Sequence, residues 1–421
     1  MIAVIDTFLR VSFRQVDDVT RDADSDTDYE DRYLREQLIT YIGNKRALLP
    51  FIGQALERVR VELGRKDISA VDLFSGSGVV SRFLKGHCRR LIANDLELYS
   101  EVINRCYLSN RDERDDAALL SCYRELTDYL SERERSGTLE RGIIARHYAP
   151  QDDDRIQPGE RVFYTQRNAR YIDTARRYID SLPRDVRPFF LAPLLAKASV
   201  HANTAGVFKG FYKDRRTGIG RFGGTGRDAL SRITGNIHIP FPLFSPRDCD
   251  VTVLREDANV LASRLADEAG TVDLVYLDPP YNQHPYGSNY FMLNLIARYR
   301  EPESPSAVSG IPADWNRSRY NSQRRALAAF EELVRTLDSR YLLVSFNDEG
   351  FLDRGTLVSI LETVGTVTVM EQRYNAFRGS RNLRNRSVHV RELLFLVTVR
   401  PRRYQGAPGA VAEMLDKDPH S

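Results

Sequence analysis

Residues 272–281 read VDLVYLDPPY. An apolar run of this length reads as a buried strand, and it delivers Asp278, Pro279, Pro280 and Tyr281 at its carboxyl end. The two prolines remove backbone donors and stiffen the turn. That leaves the Pro279 carbonyl free to face a pocket, beside the Asp278 carboxylate and the flat ring of Tyr281. This set suits an exocyclic amine on a planar base. The two amine hydrogens can go to Asp278 and to the Pro279 carbonyl while the base stacks on Tyr281. The nitrogen lone pair then becomes available for in-line attack on an electrophilic methyl group. No covalent enzyme intermediate is needed, and most of the catalysis is positioning and electrostatics. The plain alternative is a Pro-Pro turn with Asp278 as a helix cap.

A second set lies upstream. Residues 70–78, AVDLFSGSG, read as a strand running into a glycine turn, with VVSRFLK as the next helix start. Gly76 and Gly78 let the backbone turn sharply and let a ligand approach closely. The helix start adds free N–H groups. Asp95 ends the next strand, LIAND, where an acid can accept from both hydroxyls of a ribose. Alone, such a turn fits S-adenosylmethionine, a dinucleotide or no ligand at all. The full G-x-G-x-x-G is missing, since Arg82 and Phe83 follow Ser81, and there is no G-x-x-x-x-G-K-[ST]. These absences argue against NAD, FAD and a P-loop. With both motifs on strands of one sheet, the helix-cap reading of Asp278 loses ground. A base within a duplex would have to flip out to reach such a pocket, at a cost of a few kcal/mol.

The elements that must position these residues alternate. Residues 44–63 carry Leu48, Leu49, Ile52, Leu56, Val59 and Leu63 at helical spacing. Further strands are expected at 341–346, 367–370 and 392–399, with a helix over 322–338. The expected fold is α/β: a Rossmann-like, mostly parallel seven-stranded sheet covered on both faces. The last two strands are joined by a loop, which allows an antiparallel end. Residues 141–244 break the rhythm and read as an inserted recognition domain. The sheet domain is then 38–140 and 245–402, flanked by a partly mobile extension (1–37, acidic over 20–32) and a tail (403–421).

With 421 residues, 42% hydrophobic and 28% charged, the chain is of the soluble globular class. Net charge is only +3, so partners must be inferred from where the charge sits. Cys88, Cys106, Cys122 and Cys249 lack metal-finger spacing and read as reduced thiols. The N-terminal apolar stretch is broken by Asp6 and Arg10, unlike a signal peptide, and no run is long enough to span a membrane. A cytoplasmic, prokaryotic setting is expected.

At this point the sequence resembles the alpha group of DNA adenine-N6 methyltransferases, the Dam-like enzymes of restriction–modification systems, and within it the FokI-like type IIS methylases. The resemblance covers residues 38–400. Tyr41-Ile42-Gly43-Asn44-Lys45 looks like the group's N-terminal cofactor motif, in which Tyr41, Asn44 and Lys45 would flank the methionine carboxylate of S-adenosylmethionine. Asp72, Phe74, Gly76 and Gly78 match the glycine motif, Asp95 the ribose acid, and Asp257 the acid that contacts the cofactor adenine; Asp278 counts with them. The DPPY tetrapeptide matches in full, and the order of motifs is that of the alpha group. The single DPPY copy departs from fused enzymes and implies one catalytic domain, so a monomer is expected. A cognate restriction endonuclease is an implied partner. Transfer to RNA adenine and an inactive DNA-binding homologue stay open as alternatives. Cytosine-N4 enzymes usually carry serine in place of the acid, and no cysteine here follows a proline as cytosine-C5 chemistry would need.

Double-stranded DNA is the expected substrate, and the charge distribution agrees. Lys197–Arg232 holds eight basic residues against two acids, a net of +6. Lys209, Lys213, Arg215, Arg216, Arg221 and Arg227 are its candidate DNA contacts, with aromatics interleaved. Residues 373–391 hold six arginines and no acid, and Arg378 and Arg381 are candidates there. Asn289 and Tyr290 could shape the pocket; Trp315 and Tyr320 could cover a flipped base or simply pack. The histidines show no metal spacing.

Overall fold

The computed structural model describes residues 26–224, 229–280, 283–347, 353–375 and 389–401. In chain order, α1 (Asp26–Arg35) is followed by a 3-10 turn (Lys45–Leu48), α2 (Leu49–Leu63), β1 (Ile68–Asp72), α3 (Val79–Lys85), β2 (Cys88–Asn94) and α4 (Leu98–Tyr107). A helical stretch comes next: α5 (Asp116–Arg135), α6 (Ile143–His147), α7 (Gln166–Ser181), α8 (Arg187–Val200) and α9 (Leu230–Thr234). The sheet resumes with β3 (Asp250–Leu254), α10 (Ala258–Ala269), β4 (Val272–Leu277), α11 (Tyr286–Asn289), α12 (Phe291–Arg298), α13 (Gln323–Thr336), β5 (Ser339–Asn347), α14 (Arg354–Glu362), β6 (Gly365–Asn375) and β7 (His389–Val399).

The seven strands lie in the order β3-β2-β1-β4-β5-β7-β6. All neighbours are parallel except β7, which runs antiparallel to both β5 and β6. The strand order reverses between β1 and β4. Open α/β sheets bind ligands in the crevice at that switch point, outside the carboxyl ends of the strands. The register pairs Asp72 with Tyr276, which brings the glycine turn after β1 level with the Asp278 turn after β4.

Alternation along the strands fills two layers. Ala70, Leu274, Leu343 and Leu396 pack against α2 and α3 through Ile52, Leu56, Val80 and Leu84. Val71, Val275, Leu342 and Phe395 pack against α10, α13 and α14 through Leu261, Phe330, Leu333 and Leu357. The six expected strands and the antiparallel end are present. The seventh strand, β3, has no expected counterpart: it is a partly exposed edge, and its alternating DVTVL lacks the apolar run of a central strand.

Two segments that the sequence reading set apart from the sheet domain are packed as follows. The acidic lead-in is helical from Asp26, because α1 has somewhere to dock: Tyr33 is 2% exposed and its Oη donates to the Tyr107 carbonyl at 2.6 Å. The buried Arg82 guanidinium donates to the carbonyls of Tyr33, Glu36 and Gln37, which fixes the chain that leads to Tyr41. The helices within 141–244 share one core with α4 and α12, as Ile172, Phe190 and Leu194 pack with Tyr99, Ile103 and Phe291. All four cysteines are free thiols.

Candidate active site

The glycine turn and the strand-end acid are built as one unit. Gly76 and Gly78 have φ of +51° and +77°, which side chains with a Cβ rarely adopt. A Cβ on Gly76 would lie 2.9 Å from Tyr41 Oη. The Gly76 N–H donates to Asp95 Oδ2 at 2.8 Å, and the Glu97 N–H to Oδ1 at 2.9 Å. Burial pushes the Asp95 carboxyl up to about 6, against the pull of these N–H groups.

A cleft opens beside this unit. Tyr41, Phe74, Asp95, Asp257, Asp278 and Pro280 line it. Tyr41 is stacked 5.0 Å from Tyr286 and 4.7 Å from Tyr290. The next residue is tied to the same rings: the Ile42 N–H donates to Tyr290 Oη, and Tyr286 Oη donates to the Ile42 carbonyl. Phe74 meets Tyr320 edge to face at 5.3 Å. Asp257 caps α10 by accepting from Asn259 N and Val260 N, and Arg319 pairs with it at 3.3 Å.

Five residues from the expected cofactor motifs are not part of the cleft lining: Gly76 and Gly78 lie in the turn that Asp95 holds, and Asn44, Asp72 and Lys45 bond elsewhere. Asn44 turns back on its own chain and accepts from Arg46 N, capping the 3-10 turn. Asp72 is fully buried and accepts from Ser81 Oγ at 2.7 Å; burial pushes its carboxyl up to about 7. Lys45 is 6% exposed, and its Nζ lies 2.6 Å from Glu392 Oε1 and 3.4 Å from Asp278 Oδ1. Burial alone would pull its ammonium down, but the two carboxylates, with Tyr276, hold it above its ordinary value. Pro279 is buried, and Tyr281 lies outside the described residues.

The sequence reading missed two acids. Glu97 lines the cleft at 4% exposure, and its Oε2 accepts from Asn294 Nδ2 at 2.5 Å and Asn316 Nδ2 at 3.0 Å. Burial, aided by Asp95, pushes it up to about 7. Its signal was a second acid in LIANDLE, two residues past Asp95. Glu392 is fully buried, and its signal was a lone acid opening the apolar run ELLFLVTV.

The basic segment forms a small hairpin, with Lys213 bridged to Gly220. Asp214 accepts from Arg216 N and Thr217 N and sets the turn. Lys209, Lys213, Arg215 and Arg216 are exposed on it. Arg221 pairs with Asp214 at 3.7 Å and donates to the Gly224 carbonyl, and Arg232 binds the carbonyls of Val200, Ala202 and Thr204. Those two guanidinium groups brace the loop. Behind the hairpin, the Phe208 N–H donates to the Asn289 carbonyl at 2.7 Å. Arg227, Arg378 and Arg381 lie outside the described residues. Tyr320 is 3% exposed, bonded to Asn259 and part of the cleft lining, whereas Trp315 lies partly exposed beneath Arg317. Among the described residues there is no cluster of three potential metal ligands, and no helix is long and apolar enough to cross a membrane.

Residues 41–308 match the D12 class N6 adenine-specific DNA methyltransferase family. The type II methyltransferase M.NlaIII of Neisseria lactamica is 31% identical over 352 residues, which span 82% of this chain and 93% of that relative. The type II methyltransferase M.CviAII of Paramecium bursaria Chlorella virus 1 is 26% identical, over 86% of this chain and 98% of its own. The type II methyltransferase M.FokI of Planomicrobium okeanokoites is also 26% identical, over 85% of this chain but 52% of its own. A family match of this extent, on a chain whose glycine turn, strand-end acid and Asp-Pro-Pro turn meet at one switch point, makes the protein a member of the D12 class of N6 adenine-specific DNA methyltransferases.

Proposed function

We propose that this chain is the modification enzyme of a type II restriction–modification system, and that it methylates a flipped-out adenine in double-stranded DNA at N6. The observation that carries the reading is the meeting of Asp95 and Asp278 on one cleft at the switch point. The relatives, themselves type II methyltransferases, support the restriction–modification setting. A cognate endonuclease is the implied partner.

S-adenosylmethionine fits the cleft as cofactor, because an acid suited to a ribose diol, apolar and aromatic walls and close glycine backbone converge there. Asp95 would hold the ribose, Phe74 and Asp257 the adenine, and Tyr41, Gly76 and Gly78 the methionine end. When bound, S-adenosylmethionine supplies an electrophilic methyl group on a sulfonium. Asp278 and the Pro279 carbonyl accept the two hydrogens of the target amine and orient its lone pair, and Tyr281 stacks on the base. Asp278 would orient the amine through the transfer and pass its proton to solvent afterwards. Lys45 holds the Asp278 carboxylate from behind, and Asp72 supports the glycine turn from beneath. On this reading Lys209, Lys213, Arg215 and Arg216 contact the DNA backbone, and Arg227, Arg378 and Arg381 stay candidates from the sequence.

The test is transfer from tritiated S-adenosylmethionine to unmethylated genomic DNA, with nucleoside mass spectrometry and Asp278→Ala as control. N6-methyladenine in DNA that vanishes with Asp278→Ala is the expected result. Methylation of RNA alone would replace the substrate in this reading. Cofactor binding without transfer to either nucleic acid would leave a DNA-binding homologue.

A further inference from the structure

One buried carboxylate stands behind the catalytic turn and takes no part in the steps above. Glu392 is the fourth residue of β7 and is fully buried. Its Oε1 accepts from Lys45 Nζ at 2.6 Å and from Ser345 Oγ at 2.8 Å. Its Oε2 is buried without a hydrogen-bond partner among the described residues. An ionised group left partly unsatisfied in an apolar layer is costly, and a well-packed neutral side chain would often serve stability as well or better. Packing therefore gives no reason for an acid at this position. Its charged partner among the described residues does: Lys45 Nζ also lies 3.4 Å from Asp278 Oδ1.

We propose that Glu392 is a positioning residue for methyl transfer, one that anchors the Lys45 ammonium between two carboxylates so that Asp278 is held in place yet stays a strong acceptor for the target amine. The inference rests on the role given to Asp278 above. Lys45 is faced by Asp278 from the turn after β4, by Tyr276 from β4 itself and by Glu392 from β7, which Ser345 from β5 also bonds; Asp278 is faced in addition by Asp72 from β1 and Tyr286 from α11. With Glu392 present the ammonium is shared between two carboxylates. Without it, the ammonium acts on Asp278 alone. It then drifts toward that carboxylate, weakens it as an acceptor and keeps it ionised to lower pH.

Glu392→Gln tests this in the full chain, with tritiated S-adenosylmethionine and unmethylated genomic DNA. The expected result is a kcat lower by about tenfold or more, with cofactor and DNA affinities unchanged. The pH at which turnover fails on the acid side should move down by about one unit. A residue that merely supports the fold would lower stability and rate without moving that limb. A wild-type kcat and acid limb, or a loss traced wholly to weaker cofactor or DNA binding, overturns the inference. If the glutamine variant does not fold, Glu392→Asp keeps the charge and shortens the reach. It should lower kcat several-fold while leaving the acid limb in place, and a wild-type kcat there overturns the inference. If the wild-type chain transfers no methyl group to DNA, the functional reading itself fails and this one with it.

Discussion

The backbone N–H of Gly76 donates to the Asp95 carboxylate at 2.8 Å, so the turn after β1 and the acid after β2 fix each other's position. Neither can move without the other, and both face the cleft that Asp278 reaches from β4. The ring of Tyr41 closes the same unit from outside, near the place where a side chain on Gly76 would have to go.

Gly76→Ala should therefore damage cofactor binding more than it damages the fold. At φ +51° an added Cβ costs roughly 1–3 kcal/mol of strain, and it would also meet Tyr41 Oη at 2.9 Å. We expect S-adenosylmethionine affinity to fall by at least about tenfold in a calorimetric titration. Gly64→Ala is the control: it has a similar φ of +65° with open space around it. It should lower the melting temperature and leave affinity alone. Equal affinity in both variants would break the link between the turn and the cofactor.

The hairpin makes a prediction about salt. Lys213, Arg215 and Arg216 are exposed on it, whereas Arg232 is tied to backbone carbonyls. Each exposed residue that neutralises a phosphate should lower the slope of log affinity against log salt by about 0.9 when changed to alanine. Arg232→Ala should instead lower thermal stability. Fluorescence anisotropy with duplex DNA over a salt series separates the two. Unchanged slopes for all three exposed residues would remove the hairpin from the DNA interface.

The part of the cleft that is built from strand ends was legible in the sequence. A buried parallel strand announces itself as an apolar run, so the residues just after AVDLF, LIAND and VDLVYL could be assigned to one edge of one sheet. What escaped depends on long-range pairing. Lys45 carries the look of a ligand-binding lysine, yet its partner Glu392 is 347 positions away and no spacing rule joins them. Glu97 was visible as an acid, but its meaning comes from Asn294 and Asn316, which reach it from α12 and the segment beyond. Strand β3 escaped because an edge strand alternates weakly and carries no continuous apolar run.

Glu97 makes the last prediction, on pH. Burial raises its carboxyl to about 7, above the ordinary range. A group whose folded value is raised contributes stability that is fully present below its unfolded value, near 4.3, and is lost as pH rises through the folded one. The free protein should therefore lose this contribution between about pH 4 and pH 7 as the cleft acid ionises. Glu97→Gln removes the titration while leaving an oxygen that can accept from Asn294 or Asn316. Plotted against pH, the melting temperature of the variant minus that of the wild type should rise across this window and level off above it. Other carboxyls, such as Glu134 and Glu301, are shifted the opposite way by their arginine partners and are common to both proteins, so they cancel in the difference. A difference that stays flat from pH 4 to 8 would mean that Glu97 titrates as an ordinary solvent-facing acid, and that the Asn294 and Asn316 contacts do not enclose it in solution.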